Sequence, residues 1–166
     1  QFFEKKFFCP GHTYAYHALS LAAIPPAIAE YNRLFASGKP QKVAQYLEQK
    51  LYELGERHQC VGDVRGMGHF WGLELVKNRK TKEPFNTKSD KINEMPLVTA
   101  QVAGKAMQNG LYLAAWYDNL IIAPPLIITT KEVDQALFIL DEALIIADRL
   151  ADETDVSLCR SSQFIL

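Results

Sequence analysis

A short segment near the start of the chain has the residue types of an anion-binding site. Pro10, Gly11, His12 and Thr13 stand directly before an alanine-rich stretch that predicts a helix. A helix N-terminus favours an anion, because its first N–H groups have no partner within the helix and the helix dipole is positive there. Gly11 lets the backbone approach closely, and Thr13 adds a hydroxyl. The same residues also fit a plain helix N-cap, and the pattern alone leaves both interpretations open.

The histidines do not suggest a metal site. His12 and His17 are five residues apart, which takes them off a common helical face, and no carboxylate flanks them. We predict a surface position for His58 and a strand position for His69. No bound metal is therefore expected.

Two aromatic residues, Trp116 and Tyr117, follow a predicted helix and stand beside the turn of a predicted hairpin. Aromatic rings in such a place either line a ligand site or cap the hairpin. The residue types do not decide between these two roles.

Three segments of the chain, residues 11–19, 61–68 and 123–129, resemble the C-terminal portion of class III (omega-type) pyridoxal-phosphate aminotransferases. The resemblance runs from about residue 7 to residue 150. In that family the lysine that forms the Schiff base with the cofactor lies upstream of the Gly-His-Thr segment. We expect this sequence to begin too late to contain that lysine, so no catalytic residue is predicted and the chain alone is expected to be inactive.

The resemblance implies pyridoxal 5′-phosphate (PLP) as cofactor and a homodimer with the cofactor at the subunit interface. In similar enzymes the threonine at the place of Thr13 reaches the cofactor phosphate of the neighbouring subunit. Thr13 is therefore the leading candidate for cofactor binding, and Gly11, His12 and Tyr14 are further candidates.

The resemblance also directs attention to Ala114, where many relatives that use omega-amino acids with pyruvate carry an arginine. An arginine there would pair with a substrate carboxylate through two parallel hydrogen bonds. Its absence favours another anchor or an amine donor without a carboxylate. Together with Trp116 and Tyr117, Ala114 makes the chain look like a taurine–pyruvate aminotransferase, so these three residues are the substrate-site candidates.

Two helices are predicted in the first third of the chain. Residues 14–29 have a helical composition, but Pro25 and Pro26 predict a kink or break, because proline lacks an N–H and clashes one turn back. After a turn at residues 37–40, apolar residues recur every three or four positions, which predicts an amphipathic helix to about His58.

Two further helices are predicted in the second half. Residues 96–109 are predicted to form a helix with Val98, Val102, Ala106 and Met107 inward, and Gly110 ends this helix. Thr129 and Glu132 form a capping box at the start of the last helix. Its apolar stripe consists of Val133, Ala136, Leu137, Leu140, Ala143, Leu144, Ala147 and Leu150.

Alternation predicts the strands. Residues 64–76 are interpreted as one extended segment with His69, Trp71, Leu73 and Leu75 on one face. Arg65 is predicted to form a structural salt bridge, and Glu74 to be structural. Residues 78–93 are interpreted as a polar surface loop. Short strands are expected at 111–115 and 120–123, with a turn at 117–119 between them.

These elements predict an α+β fold, a small antiparallel sheet covered on one face by helices. The resemblance identifies it with the C-terminal small domain of a fold-type I PLP-dependent transferase. Residues 1–36 are assigned to the end of the large cofactor domain and a connecting helix, 37–153 to the small domain and 154–166 to a tail.

Composition limits the alternatives. The net charge of −1 gives no reason to expect a nucleic-acid partner, and no apolar run approaches the length of a membrane span. Three widely spaced cysteines favour a reducing compartment, which indicates a cytoplasmic protein. Two alternatives stay open: a non-catalytic α+β binding or oligomerisation module, and a class III relative that does not transfer amino groups.

Overall fold

The computed structural model describes Thr13 and residues 17–151, except for the side chain of Lys91. The described helices are α1 (Ala18–Ala22), α2 (Ile24–Ala36), α3 (Lys39–Arg57), α4 (Lys88–Ile92), α5 (Val98–Gln108) and α6 (Thr130–Asp148). The described strands are β1 (Val61–Met67), β2 (Phe70–Asn78), β3 (Glu83–Pro84), β4 (Ala114–Trp116) and β5 (Asn119–Ile122). The chain divides into two compact units, Gln1–Ser37 and Gly38–Leu166.

Helices α1 and α2 belong to the first unit. The His17 side chain caps α1 by accepting a hydrogen bond from the backbone N–H of Ser20. A break separates the two helices at Ala23, and Pro25 and Pro26 lie in the first turn of α2. Proline is tolerated there because the first N–H groups of a helix have no intrahelical partner. The predicted break is confirmed, but the helical region extends to Ala36, beyond the predicted end at residue 29.

Helix α3 opens the second unit and contributes much of its core. Gly38 takes a left-handed conformation with φ of 66° just before the helix, and Pro40 lies in its first turn. The apolar side chains that recur along α3 are buried as predicted. They are Val43, Leu47, Leu51 and Leu54.

The predicted single extended segment at 64–76 is wrong, because the structure has a hairpin there. Strands β1 and β2 pair antiparallel, with Gly68 at φ of 62° in the turn between them. Trp71, Leu73 and Leu75 share the buried face of β2, as predicted. His69 lies in the hairpin turn rather than in a strand, and its Nε2 hydrogen-bonds to the Pro40 carbonyl at 3.0 Å.

The predicted surface loop at 78–93 contains a buried arginine, strand β3 and helix α4. The Arg79 guanidinium donates to the carbonyls of Gly55 (2.6 Å) and His58, and its Nε donates to the Val61 carbonyl (2.9 Å). The last carbonyls of a helix lack intrahelical N–H donors, so the donor groups of an arginine are well suited to that end of α3. The polar composition of the segment therefore gave no sign that the Arg79 side chain is buried and joins the end of α3 to β1.

The sheet order is β1-β2-β5-β4, with β3 paired to β2, and all of these pairs are antiparallel. Helix α5 precedes β4 and ends before Gly110, which has φ of 91°. The predicted strands at 111–115 and 120–123 are confirmed with shifted bounds. Met107 is 64% exposed, so its inward placement was wrong.

Helix α6 completes the core, which it shares with α3, α5 and the buried face of the sheet. The predicted capping box is present, since Glu132 N–H donates to Thr129 and Thr129 N–H donates to Glu132. The apolar stripe is confirmed except at Leu150, which is 49% exposed beyond the helix end. The predicted tail at 154–166 lies outside the described residues. Within the described residues, no helix has the length and apolar character to cross a membrane.

Candidate functional site

Thr13, the leading cofactor-binding candidate, lies in a turn with its side chain exposed. Gly11, His12 and Tyr14 lie outside the described residues. The sequence contains no aspartate or glutamate between Glu4 and Glu30, so no nearby carboxylate in sequence competes with a bound anion. An exposed hydroxyl donor in an acid-free segment fits a phosphate oxygen.

The substrate-site candidates Ala114, Trp116 and Tyr117 lie together at the β4–β5 hairpin. In the register of this hairpin Ala114 faces Ile121, and Trp116 faces Asn119. Side chains two apart on a strand point to the same face, so Ala114 and Trp116 share one side of β4. Ala114 is exposed and Trp116 is 61% exposed. The resemblance grouped the three residues by their order in the chain; the hairpin places Ala114 and Trp116 on one side of β4, with the Tyr117 ring against Trp116.

Ala114 also lines a shallow groove of about 330 Å³ between β4 and α5. The helix contributes small residues to this groove, namely Ala100, Ala103 and Gly104. A longer side chain at position 114 therefore has space to lie along α5. With alanine at this position, the residues that line the groove include no charged side chain to pair with a carboxylate.

The turn that carries Tyr117 has an unusual backbone. Tyr117 has φ of 53°, a left-handed conformation that is costly for a residue with a Cβ. The Thr99 hydroxyl on α5 donates to the Tyr117 carbonyl, and the Leu75 N–H on β2 donates to the Asp118 carbonyl at 2.6 Å. The Trp116 and Tyr117 rings meet edge to face, with centroids 6.1 Å apart.

Arg65 on β1 forms the structural salt bridge that the sequence predicted. Its Nη1 donates to Asp63 at 2.7 Å and to Glu74 at 3.0 Å, and its Nη2 donates to the Asn119 side chain at 3.2 Å. The hydrogen bonds from Arg65 to these two carboxylates raise the pKa of the guanidinium further above its usual value. Arg65 thus links β1 to the first residue of β5, next to the turn that carries Tyr117.

An ionic cluster that joins the residue after α3 to α6 was not predicted. His58 is only 5% exposed, so its predicted surface position was wrong. Its Nδ1 lies 2.6 Å from Asp148 Oδ2 and its Nε2 lies 3.0 Å from Asp141 Oδ1. These partners are 83 and 90 residues away along the chain, so no local pattern identifies them.

Cys60 lies beside this cluster, and its thiol is unreactive. Its thiol is buried, and burial, followed by the charge of Asp148, raises its pKa well above the usual range. A thiol that stays protonated is a poor nucleophile and a poor metal ligand. Among the described residues, no group of histidine, cysteine and carboxylate side chains is arranged to hold a metal ion.

The chain is similar to several curated enzymes. It is 33% identical over 132 residues to the putrescine–pyruvate aminotransferase of Pseudomonas aeruginosa, covering 78% of this chain and 27% of that enzyme. It is 32% identical over 112 residues to ethanolamine-phosphate phospho-lyase homolog 1 of Caenorhabditis elegans, covering 66% of this chain and 22% of that protein. The chain thus spans about a quarter of the length of these relatives.

Solved structures agree with the sequence similarity. The chain matches a taurine:2-oxoglutarate aminotransferase from Bifidobacterium kashiwanohense, solved in complex with PLP and glutamate. The TM-score is 0.70 at 29% identity, over 89% of this chain and 32% of that one. The α+β fold with its small antiparallel sheet is therefore that of part of a fold-type I aminotransferase. The family described as aminotransferase class-III, whose enzymes depend on PLP, matches residues 5–144, and this chain belongs to it.

Proposed function

We propose that this chain is the C-terminal part of a cytoplasmic, PLP-dependent aminotransferase that transfers an amino group from an omega-amine, such as taurine, to pyruvate. Family membership supports the reaction class. One relative is named for pyruvate as acceptor and one structural neighbour for taurine as donor. Because the chain spans only about a quarter to a third of these proteins, the activity belongs to a longer polypeptide.

In this proposal the chain contributes to holding the cofactor. PLP supplies an electron sink that allows an amino group to leave one carbon and be added to another. The Thr13 hydroxyl donates to a phosphate oxygen of the cofactor bound by the partner subunit, so the enzyme works as a homodimer. The exposed position of Thr13 and the absence of acidic residues around it in sequence support this role.

The observation that carries the donor assignment is the surface around Ala114. An exposed alanine beside small helix residues offers no guanidinium to a donor carboxylate. The exposed Trp116 indole shares one side of β4 with Ala114, and the Tyr117 ring contacts that indole edge to face. The indole N–H and the phenol O–H are donors that suit a tetrahedral sulfonate. In this proposal neutral donors hold the distal group of the amine, because the nearby Arg65 guanidinium is already paired with Asp63 and Glu74.

A second candidate function is supported by the phospho-lyase relative. That relative, 32% identical to this chain over 112 residues, is named as a homolog of an enzyme that acts on ethanolamine phosphate. A phosphate group is tetrahedral and anionic like a sulfonate, so the same surface would accept it. In that case the enzyme eliminates phosphate and transfers no amino group to pyruvate.

Purified full-length enzyme loaded with PLP distinguishes these functions. Taurine and pyruvate are supplied together and alanine is measured by chromatography, while ethanolamine phosphate is supplied separately and released phosphate is measured. We expect alanine formation that requires both taurine and pyruvate, and no phosphate release. Phosphate release without alanine formation would replace the proposal with the lyase function, and the absence of both products would refute both functions.

A further inference from the structure

The conformation of the Tyr117 turn requires specific support from the rest of the fold. A left-handed residue with a Cβ persists only where its surroundings hold it, and such residues concentrate at functional sites. The Tyr117 carbonyl accepts a hydrogen bond from the Thr99 hydroxyl. The next carbonyl, that of Asp118, accepts from the Leu75 N–H at 2.6 Å. Two successive carbonyls of the turn are thus fixed from α5 on one side and β2 on the other.

Thr99 is placed for this contact and not for capping its own helix. It is the second residue of α5 and only 2% exposed. The α5 N-cap, Leu97, offers no side-chain cap, and the Val98 N–H donates instead to the Asn86 side chain at 2.9 Å. A buried hydroxyl is costly without a partner, so its hydrogen bond to the Tyr117 carbonyl is a specific constraint.

The far side of the turn is fixed as well. The Asn119 side chain donates to the Asp118 carboxylate and accepts from Arg65. Arg65 is held in turn by Asp63 and Glu74. This side is thus tied to β1 and β2, and the Thr99 hydroxyl ties the turn to α5, whose small residues line the groove beside Ala114.

We propose that Thr99 is a positioning residue for amine-donor selection, because its hydroxyl holds the left-handed Tyr117 turn and thereby sets the orientation of Trp116 and Tyr117. This inference rests on the proposed function. It adds a residue that never touches the donor but fixes the two side chains that do.

The first test is spectroscopic and uses Thr99→Val, which keeps the volume and removes the hydroxyl, and Thr99→Ser, which retains it. The two indole N–H resonances of the chain provide an internal comparison, because Trp71 donates to the Gly68 carbonyl at 2.9 Å on the β1–β2 hairpin. We expect the Trp116 resonance to shift or broaden in Thr99→Val while Trp71 stays unchanged, and both to stay near wild type in Thr99→Ser. Thr130→Val, at the exposed start of α6, is the matched control.

The second test measures donor selection in the full-length PLP enzyme. We expect Thr99→Val to change the ratio of kcat/KM for taurine to kcat/KM for beta-alanine by at least threefold, through KM for the amine. Thr99→Ser should restore the wild-type ratio, and KM for pyruvate should stay unchanged. A uniform loss of activity with both donors would reflect a general structural role and overturn the inference.

The results separate this inference from the proposed function. A moved Trp116 resonance with an unchanged donor ratio refutes positioning by Thr99 and leaves the proposed function intact. Failure of the wild-type enzyme to use either amine refutes the proposed function and this inference together.

Discussion

His58 provides a prediction that depends only on the described structure. It follows the C-terminus of α3, and its ring lies between two carboxylates of α6. A carboxylate accepts hydrogen bonds and cannot donate them when ionised. Both ring nitrogens must therefore donate, which makes His58 a buried imidazolium that ties α3 to α6.

The pKa directions agree with this geometry. Burial lowers the pKa of His58, but hydrogen bonds to Asp148 and Asp141 outweigh burial and leave the pKa above its usual value. For Asp148, burial raises the pKa, and hydrogen bonds from His58 and the Cys60 N–H more than offset that effect. For Asp141, burial also raises the pKa, and hydrogen bonds from Arg57 and His58 leave it lowered.

These shifts define a pH window for stability. Since folding raises the pKa of His58, its contribution is complete below the unfolded value of about 6.5 and is lost as pH rises through the folded pKa. Since folding lowers the pKa of Asp141 and Asp148, their contribution is present above about pH 4 and is lost as pH falls through the folded values. The cluster therefore stabilises the fold most between about pH 4 and 6.5.

Replacing His58 removes two charge-assisted hydrogen bonds. Each such bond contributes about 1.5–3 kcal/mol, and breaking a fully buried pair costs about 3–5 kcal/mol. The Asp148 and Asp141 side chains are 22% and 31% exposed, so water partly compensates them. We expect His58→Ala to lower the free energy of unfolding by about 2–4 kcal/mol at pH 5.5. For a chain of this length that corresponds to a fall in Tm of roughly 5–15 °C.

Urea unfolding of the chain, followed by circular dichroism at pH 5.5 and pH 9, measures both effects. Wild type should be less stable at pH 9, and His58→Gln should be less stable at pH 5.5 with a smaller difference between the two pH values. His69→Gln is the matched control, because His69 contacts a backbone carbonyl rather than a carboxylate. A His58→Gln variant with the full wild-type pH dependence would refute the imidazolium assignment.

Three further predictions follow from other residues. In the full-length enzyme, Thr13→Val should weaken PLP binding by about ten- to a hundred-fold, because a hydrogen bond to a charged group contributes about 1.5–3 kcal/mol. Unchanged PLP affinity in an equilibrium titration would mean that Thr13 only caps a helix. The chain alone, mixed with PLP and borohydride, should show no stoichiometric lysine adduct by mass spectrometry, and selective labelling of Lys5 or Lys6 would contradict this. Gly66→Ala should destabilise the fold by about 1–3 kcal/mol, because the added Cβ would lie 2.3 Å from the Phe70 carbonyl oxygen. Gly104→Ala in α5 is the control, since its Cβ meets no atom within 4 Å and should not destabilise the fold. Equal melting temperatures for the two variants would contradict the close approach at Gly66.

The long helices were predictable because local rules determine them. Helix α6 combines a capping box with an apolar repeat, and α3 has the same kind of repeat. The β1–β2 hairpin was missed because Gly68 and His69 are a weak turn signal. The spacing of the apolar residues does indicate a turn, because Val64 and Trp71 are both buried although they are an odd number of positions apart. A single strand would place them on opposite faces.

The site was only partly accessible from sequence. The resemblance grouped Ala114, Trp116 and Tyr117 by order along the chain, and their roles stay predictions. The Thr99 contact and the His58 cluster join residues that are 18 to 90 positions apart. Such contacts depend on how helices pack on the sheet, which no local pattern specifies.

The most direct test of the proposed donor site is the effect of an arginine at position 114. In the full-length PLP enzyme, wild type should have a higher kcat/KM for taurine than for beta-alanine with pyruvate as acceptor. Ala114→Arg should shift this ratio toward beta-alanine by up to about 1–3 kcal/mol, because the guanidinium pairs with the carboxylate. Gln108→Arg, which adds the same charge at an exposed position of α5, should leave the ratio unchanged. Equal use of both donors by wild type, with no shift in Ala114→Arg, would contradict the account.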